Sequence, residues 1–221
     1  MKLEEFSYHL PPSFIAQAPL PHRDRSRMLV LEAATGQVRH RIFRDIPEYL
    51  REGDVLVVND SRVIPARLVG RKESGAVIEI LLLSKIPATG EGELWEAMLK
   101  PAKRVRVGTV IQLPGAGRAE VKERRSEKIW RLRFFSPEPF AAYLNRHGRP
   151  PLPPYIKRTP EDDRSAGDRD RYQTIYARAP GSVAAPTAGF HFSTAVLESI
   201  RKRGIGIAAV TLHVGYGTFL P

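Results

Sequence analysis

At 221 residues the chain is long enough for one large or two small domains, and a hydrophobic share of 42% supplies a real core. The absence of cysteine excludes a disulfide framework, thiol catalysis and thiolate metal sites, while a formal net charge of +11 favours a polyanionic partner whose counterions are released on binding. No apolar run approaches the ~18 residues of a membrane span, and Met1-Lys-Leu-Glu-Glu-Phe-Ser7 lacks the apolar stretch of a signal peptide, so a cytoplasmic protein is expected.

Ser13 is placed to cap a short helix through Phe14, Ile15 and Gln17. Residues 28–31 and 38–43 read as strands joined by a hairpin turn at Ala33-Ala-Thr-Gly36. Residues 45–50 read as a short amphipathic helix, stopped by Gly53. The continuous apolar run Val55-Leu-Val-Val58 predicts a buried strand, which ends in Asn59-Asp-Ser-Arg62.

The texture then changes. Short strand-like runs at 67–70, 77–83, 94–99, 110–113, 118–121 and 129–135 alternate with glycine-rich or charged turns. Six close-spaced runs with no helix-length pattern predict a small β-barrel or sandwich. Residues 137–147 read as a helix closed by Gly148, and Pro150, Pro151, Pro153 and Pro154 form a stiff connector. Residues 159–170 are polar, lack core periodicity and predict a loop. Gly181-Ser-Val-Ala-Ala-Pro-Thr-Ala-Gly-Phe-His191 contains no Asp, Glu, Lys or Arg in a chain that is 27% charged, and its glycines and proline predict a loop with closely approachable backbone. Ser193 can cap a following helix with Val196, Leu197 and Ile200 on its apolar face, Arg201, Lys202 and Arg203 in its last turn and Gly204 beyond it. Residues 205–214 then predict a second buried strand. The resulting fold class is α/β plus β: a discontinuous α/β domain, residues 1–66 and 151–221, with an inserted β-barrel-like domain over 67–150.

Several residues are suited to chemistry. Asp60 and Arg62 leave a strand and can orient each other or a polar substrate; a turn Asp beside a surface Arg is the alternative. His191 precedes a helix and His213 lies near a strand end, so each is a candidate general base, against a purely structural imidazole. No His-x-x-x-His pair exists and no carboxylate lies near His213, so no metal site is expected. Tyr172 and Tyr176, four apart, would share a helix face and either stack on a base or pack. Ser182 and Thr187 can bond a carboxylate or ribose, or only their own turn. Lys100, Lys103 and Arg104, then Arg124 and Arg125, cluster near Trp95 and Trp130, a mixture suited to RNA phosphates and base stacking, or to solvated strand faces. Neither Gly-x-Gly-x-x-Gly nor a Walker A pattern is present.

Long stretches of the chain resemble one family. They are Arg23-Asp-Arg-Ser-Arg-Met-Leu-Val30, Gly53-Asp-Val-Leu-Val-Val-Asn-Asp-Ser-Arg-Val-Ile-Pro-Ala-Arg-Leu68, Pro150-Pro-Leu-Pro-Pro-Tyr-Ile156, Tyr172-Gln-Thr-Ile-Tyr-Ala177, the 181–191 loop and Thr211-Leu-His-Val-Gly-Tyr-Gly-Thr-Phe219. Together they resemble the S-adenosylmethionine:tRNA ribosyltransferase-isomerases of queuosine biosynthesis. Phe190 and Tyr216 stand where that family usually has Leu, and the family continues well beyond the Gly-Thr-Phe motif. The resemblance implies the same discontinuous domain split. It implies transfer and isomerisation of the ribosyl group of S-adenosylmethionine onto 7-aminomethyl-7-deazaguanine at the tRNA wobble position, giving epoxyqueuosine. S-adenosylmethionine is then a substrate, with no bound prosthetic group, and the enzyme is expected to be a monomer. On this reading His191 or His213 moves the proton and Asp60 and Arg62 orient ligand. Tyr172, Ser182, Ala185, Pro186, Thr187, Gly189, Gly215, Gly217 and Thr218 hold S-adenosylmethionine. The second expectation is a tRNA-binding piece that needs the family's C-terminal part for turnover.

Overall fold

The computed structural model describes residues 2–158 and 165–215. Strands β1 (Arg27–Leu31) and β2 (Val38–Ile42) form the expected antiparallel hairpin. The following 3-10 helix, Phe43–Tyr49, replaces the expected α-helix because Pro47 lies inside it and has no N–H for a longer-range bond. The Ser13 helix is likewise only a 3-10 turn, Pro12–Phe14. Then come β3 (Val55–Asn59) and β4 (Ser61–Val63).

Six strands follow where six were expected: β5 (Arg67–Lys72), β6 (Val77–Ile86), β7 (Glu93–Lys100), β8 (Val110–Gln112), β9 (Arg118–Arg124) and β10 (Ile129–Phe135). They close into a barrel in the order β10-β7-β6-β5-β8-β9. Alternation explains the closure: Leu68, Ile80, Val121 and Leu132 point inward and are fully buried, while Arg and Glu alternate outward. A six-stranded barrel is narrow enough for such side chains to fill. Helix α1 (Phe140–His147) plugs it, burying Phe140, Tyr143 and Leu144 in the same core. The Tyr143 hydroxyl donates to the Pro114 carbonyl at 2.6 Å, and burial raises its pKa to about 12. Gly148 ends α1 as expected. A Cβ there would lie 2.1 Å from the Pro65 carbonyl oxygen, so the chain leaves the barrel hard against the point where it entered. Arg67 and Arg149 exchange backbone hydrogen bonds at that crossing.

The remaining elements are α2 (Ser165–Arg171), β11 (Ala179–Ser182), α3 (Thr194–Lys202) and β12 (Gly206–Val210). Helix α2 occupies part of the segment read as a loop. Its polar sequence has no apolar face, and hydrogen bonds anchor it instead: Arg158 grips Asp168 with two bonds of 2.7 and 2.9 Å, and the helix's own Arg169 and Arg171 reach carbonyls elsewhere. The helix ends at Arg171, so Tyr172 and Tyr176 do not share a helical face. Both pack instead, Tyr172 edge-on to Phe190 at 5.3 Å and Tyr176 edge-on to Phe192 at 6.1 Å.

Strands from before and after the barrel pair in parallel: β3 with β12, and β4 with β11. With the barrel, these parallel pairs make a mixed α/β-plus-barrel fold. One face of the β3–β12 pair, carrying Leu56 and Ile207, packs on Val196, Leu197 and Ile200 of α3. Ser193 caps that helix, its Oγ accepting from the Val196 N–H at 3.3 Å. The expectation that both strands are buried is corrected. Val55 and Val57 are 61% and 59% exposed, and Val210 and Leu212 are exposed too. Among the described residues only one face is covered. Among the described residues no helix is long and apolar enough to cross a membrane.

Asp60 ties the two halves together at the end of β3. Its Oδ1 accepts from the Thr211 hydroxyl at 2.6 Å, and its Oδ2 accepts from Arg178 Nε and Nη2 at 3.1 and 2.9 Å. Its backbone carbonyl takes the N–H groups of Arg178 and Ala179. The Thr211 hydrogen bond, followed by the Arg178 contacts, holds the carboxyl below its usual range. A lowered folded-state pKa contributes stability that is present above the unfolded value and lost as pH falls through the folded one. Asp60→Asn is therefore expected to lower the thermal midpoint at pH 7. Its deficit against the unmodified chain should begin to shrink below about pH 4 and close only once the pH has fallen through the lowered folded pKa, as read by thermal unfolding across pH.

Candidate functional site

The best-defined cavity, about 410 Å³, lies where β4, α1, α2 and the segment after α2 meet. Its frame is built from side chains bonded to backbone. In β4, Ser61 and Val63 turn inward and Arg62 turns out. The Gln173 amide completes the edge of β4 as a strand would: Nε2 donates to the Val63 carbonyl at 2.7 Å and Oε1 accepts from the Val63 N–H at 3.1 Å. Arg23 donates to the carbonyls of Asp170, Gln173 and Phe190 at 2.7, 2.8 and 3.2 Å. One guanidinium thus joins α2 to the 181–191 loop. Burial, then the nearby Arg171, lowers the Arg23 pKa, though an arginine stays protonated. Arg169 reaches from α2 to the Asn145 and Gly148 carbonyls at the end of α1.

Carbonyls satisfy donors without cancelling charge. The lining therefore holds three guanidinium groups, Arg23, Arg62 and Arg169, against the single carboxylate of Asp170 among the described residues. Arg62 has no hydrogen-bond or ion-pair partner among the described residues. The Thr174 hydroxyl, in a residue 5% exposed on the same wall, also has none. A buried hydroxyl without a partner carries a desolvation cost of about 1–3 kcal/mol.

Of the residues singled out in the sequence, this cavity brings together Arg62 and Tyr172. Arg62 is not paired with Asp60, whose partners are Arg178 and Thr211. The 181–191 loop is tied chiefly to itself and to the exit of β12. Ser182 Oγ donates to the Ala184 carbonyl at 2.6 Å and accepts from the Val214 N–H at 3.0 Å. Gly181 has φ +143°, and a Cβ there would meet the His213 ring at 2.9 Å. Ala185 gives a backbone hydrogen bond to Tyr172, whose hydroxyl pKa is raised, chiefly by burial. Pro186 accepts from the Gly189 N–H at 2.8 Å, and a Cβ on Gly189 would strike the Tyr176 hydroxyl at 2.3 Å. Thr187 is exposed, Gly215 closes the described chain, and Gly217 and Thr218 lie outside the described residues.

Neither histidine lines the cavity. His191 Nδ1 lies 3.1 Å from the Ala188 carbonyl and its ring packs 5.2 Å from Phe43. A carbonyl only accepts, so Nδ1 is the donor in that contact. Sequence reasoning missed Arg23, Arg169, Gln173 and Thr174. Three of these stand in the matched motifs, but nothing in their spacing reveals that they converge.

The barrel cations divide into two groups. Lys103 and Arg104 join Lys72 and Arg106 around a depression of about 440 Å³ with no acid in its described lining, and Lys100 is exposed nearby in sequence at the end of β7. Arg125 is paired with Glu123 at 2.9 Å and Arg124 lies over the Trp130 ring at 5.2 Å. Trp130 is 3% exposed and not free to stack on a base, which corrects that expectation for Trp130, while Trp95 is half-buried and packs on the barrel core. Among the described residues no group of three or more His, Cys, Asp or Glu is arranged to hold a metal.

Comparison with known proteins gives one answer. The family model described as "Queuosine biosynthesis protein" matches residues 3–221. The chain is 54% identical to the S-adenosylmethionine:tRNA ribosyltransferase-isomerase of Syntrophus aciditrophicus, covering all of this chain and 66% of that protein. It is 48% identical to the protein of the same name from Geobacter sulfurreducens, covering 63% of it. A crystal structure of S-adenosylmethionine tRNA ribosyltransferase from Thermotoga maritima is 36% identical over 95% of this chain and 58% of that one, with a TM-score of 0.38. The chain thus spans just under two thirds of the length of these curated relatives. A family match across residues 3–221, with about half of the residues identical over the whole chain, shows that it belongs to the queuosine biosynthesis protein family.

Proposed function

We propose that this chain transfers and isomerises the ribosyl group of S-adenosylmethionine onto 7-aminomethyl-7-deazaguanine at the tRNA wobble position. The observation that carries the reading is the polar cavity of about 410 Å³ beside β4, of a size to hold one such small molecule and lined by matched motif residues. On this reading the sulfonium acidifies the ribose 5′ C–H and a base takes that proton. Adenine leaves, the aminomethyl nitrogen attacks C1′, and closure of the epoxide expels methionine. His191 is the candidate base, its Nδ1 held by the Ala188 carbonyl so that Nε2 is the nitrogen left to exchange a proton, with His213 the alternative, although neither lines the cavity. Tyr172 contributes wall to the ligand site and is bonded to Ala185 of the 182–189 loop, which extends the site beyond the lining of the cavity, with Gly215, Gly217 and Thr218 completing it, and Asp60 sets the frame. Lys100, Lys103 and Arg104 contact tRNA phosphates, with Arg124 and Arg125 further along the barrel. The enzyme works as a cytoplasmic monomer.

A second reading is favoured by the uncovered apolar face of β3 and β12: the chain binds tRNA, and turnover needs polypeptide packed on that face. Nucleoside mass spectrometry separates the two. Precursor tRNA incubated with this chain and S-adenosylmethionine should yield epoxyqueuosine. Bound tRNA with no product favours the second reading.

In a form that turns over, His191→Ala should lower the rate by about 10²–10⁴-fold. Full turnover in both His191→Ala and His213→Ala would refute the assignment of the base. Charge reversal at Lys103 and Arg104 should weaken tRNA binding across sequences. It should also flatten the slope of log affinity against log salt by about 1 per cation removed, measured by titration at several salt concentrations.

A further inference from the structure

The cavity beside β4 is lined by a cation and an anion that make no hydrogen bond or ion pair through their side chains among the described residues, although Asp170 lies within electrostatic reach of Arg23. The Arg62 guanidinium bonds to no other group among the described residues, and the Asp170 carboxylate makes no ion pair there, though both line the same 410 Å³ space. The Thr174 hydroxyl on that wall is buried without a partner. The other two guanidinium groups and the Gln173 amide are committed: Arg23 to three carbonyls, Arg169 to two, and Gln173 to both backbone groups of Val63. A fixed frame thus surrounds a cation and an anion without ion-pair partners among the described residues, and one orphaned hydroxyl.

A guanidinium is a planar fork that matches a carboxylate with two parallel bonds. A hydroxyl can donate to the same group. A carboxylate opposite serves an ammonium. Only a zwitterion uses all three, and a cavity of this volume encloses one small molecule rather than a length of nucleic-acid backbone. We propose that Arg62 and Thr174 receive the α-carboxylate, and Asp170 the α-ammonium, of the methionyl end of S-adenosylmethionine. The assignment rests on the ribosyl-transfer reading for the identity of the ligand. Its basis in the chain is these two charges, without ion-pair partners among the described residues. The excess of positive charge in the lining adds a reason: it disfavours the cationic sulfonium unless the carboxylate is bound as well.

The test is calorimetric binding of S-adenosylmethionine and of its decarboxylated form, which keeps the adenosyl sulfonium and lacks the carboxylate. The unaltered chain should prefer the carboxylate form by about tenfold or more, the size of a charge-assisted bond. Arg62→Gln should bind both forms about equally, near the affinity of the unaltered chain for the decarboxylated one. Arg62 is exposed and unpartnered, so this variant should keep its thermal midpoint. Thr174→Val should reduce the preference while leaving the midpoint unchanged or raised, because it removes a hydroxyl that is unsatisfied in the free protein. Undiminished preference in Arg62→Gln overturns the assignment alone. So does weakened tRNA binding in that variant with preference intact, which would give the guanidinium to a phosphate. Equal binding of both forms by the unaltered chain overturns it as well. Failure of both forms to bind overturns the assignment together with the reading it rests on.

Discussion

One carboxylate holds the two halves of the α/β part in register. Asp60 stands where β3 ends, and its oxygens take Thr211, just past β12, and Arg178, just before β11. The parallel ladders β3–β12 and β4–β11 flank it, and its own N–H donates to Val210 while its carbonyl receives two N–H groups from the start of β11. The chain makes these pairings across the whole inserted barrel. The barrel leaves them undisturbed because it starts and ends side by side, at Arg67 and Arg149, with Gly148 pressed on Pro65.

Arginine does much of the remaining joining, through carbonyls more than through acids. Arg23, Arg67, Arg133, Arg158, Arg169 and Arg171 all donate to backbone oxygens distant in sequence. Five donors in a rigid fork suit one side chain to several carbonyls, which irregular segments otherwise leave unsatisfied. Part of the net charge of +11 is therefore structural in origin. The charge persists after these bonds form, because a carbonyl neutralises nothing. The same arrangement that fastens the loops thus makes the cavity beside β4 positive.

The barrel is legible in the amino-acid sequence because period-two alternation is local: six runs of residues are six strands in the fold. The α3 helix is legible for the same reason, through Ser193, its apolar face and Gly204. The expectation of full burial for β3 and β12 fails because an apolar run reports what a strand tolerates, and coverage depends on what packs above it. Trp130 misleads in the opposite sense: aromatic residues among cations suggest stacking, but alternation sends Trp130 inward.

Sequence alone determined the family motifs, the barrel insertion and the loop built around Gly181 and Gly189, since each depends on neighbours within a few residues or on an unusual string of them. Tertiary structure alone decided which charges are spent and which are free. Asp60 and Arg62 are two residues apart, yet Asp60 meets groups 118 and 151 positions away while Arg62 faces a cavity beside Asp170 and Thr174. A charged group's partner is set by distance in space, and parallel pairing across an inserted barrel brings together residues whose separation in the chain carries no trace of it.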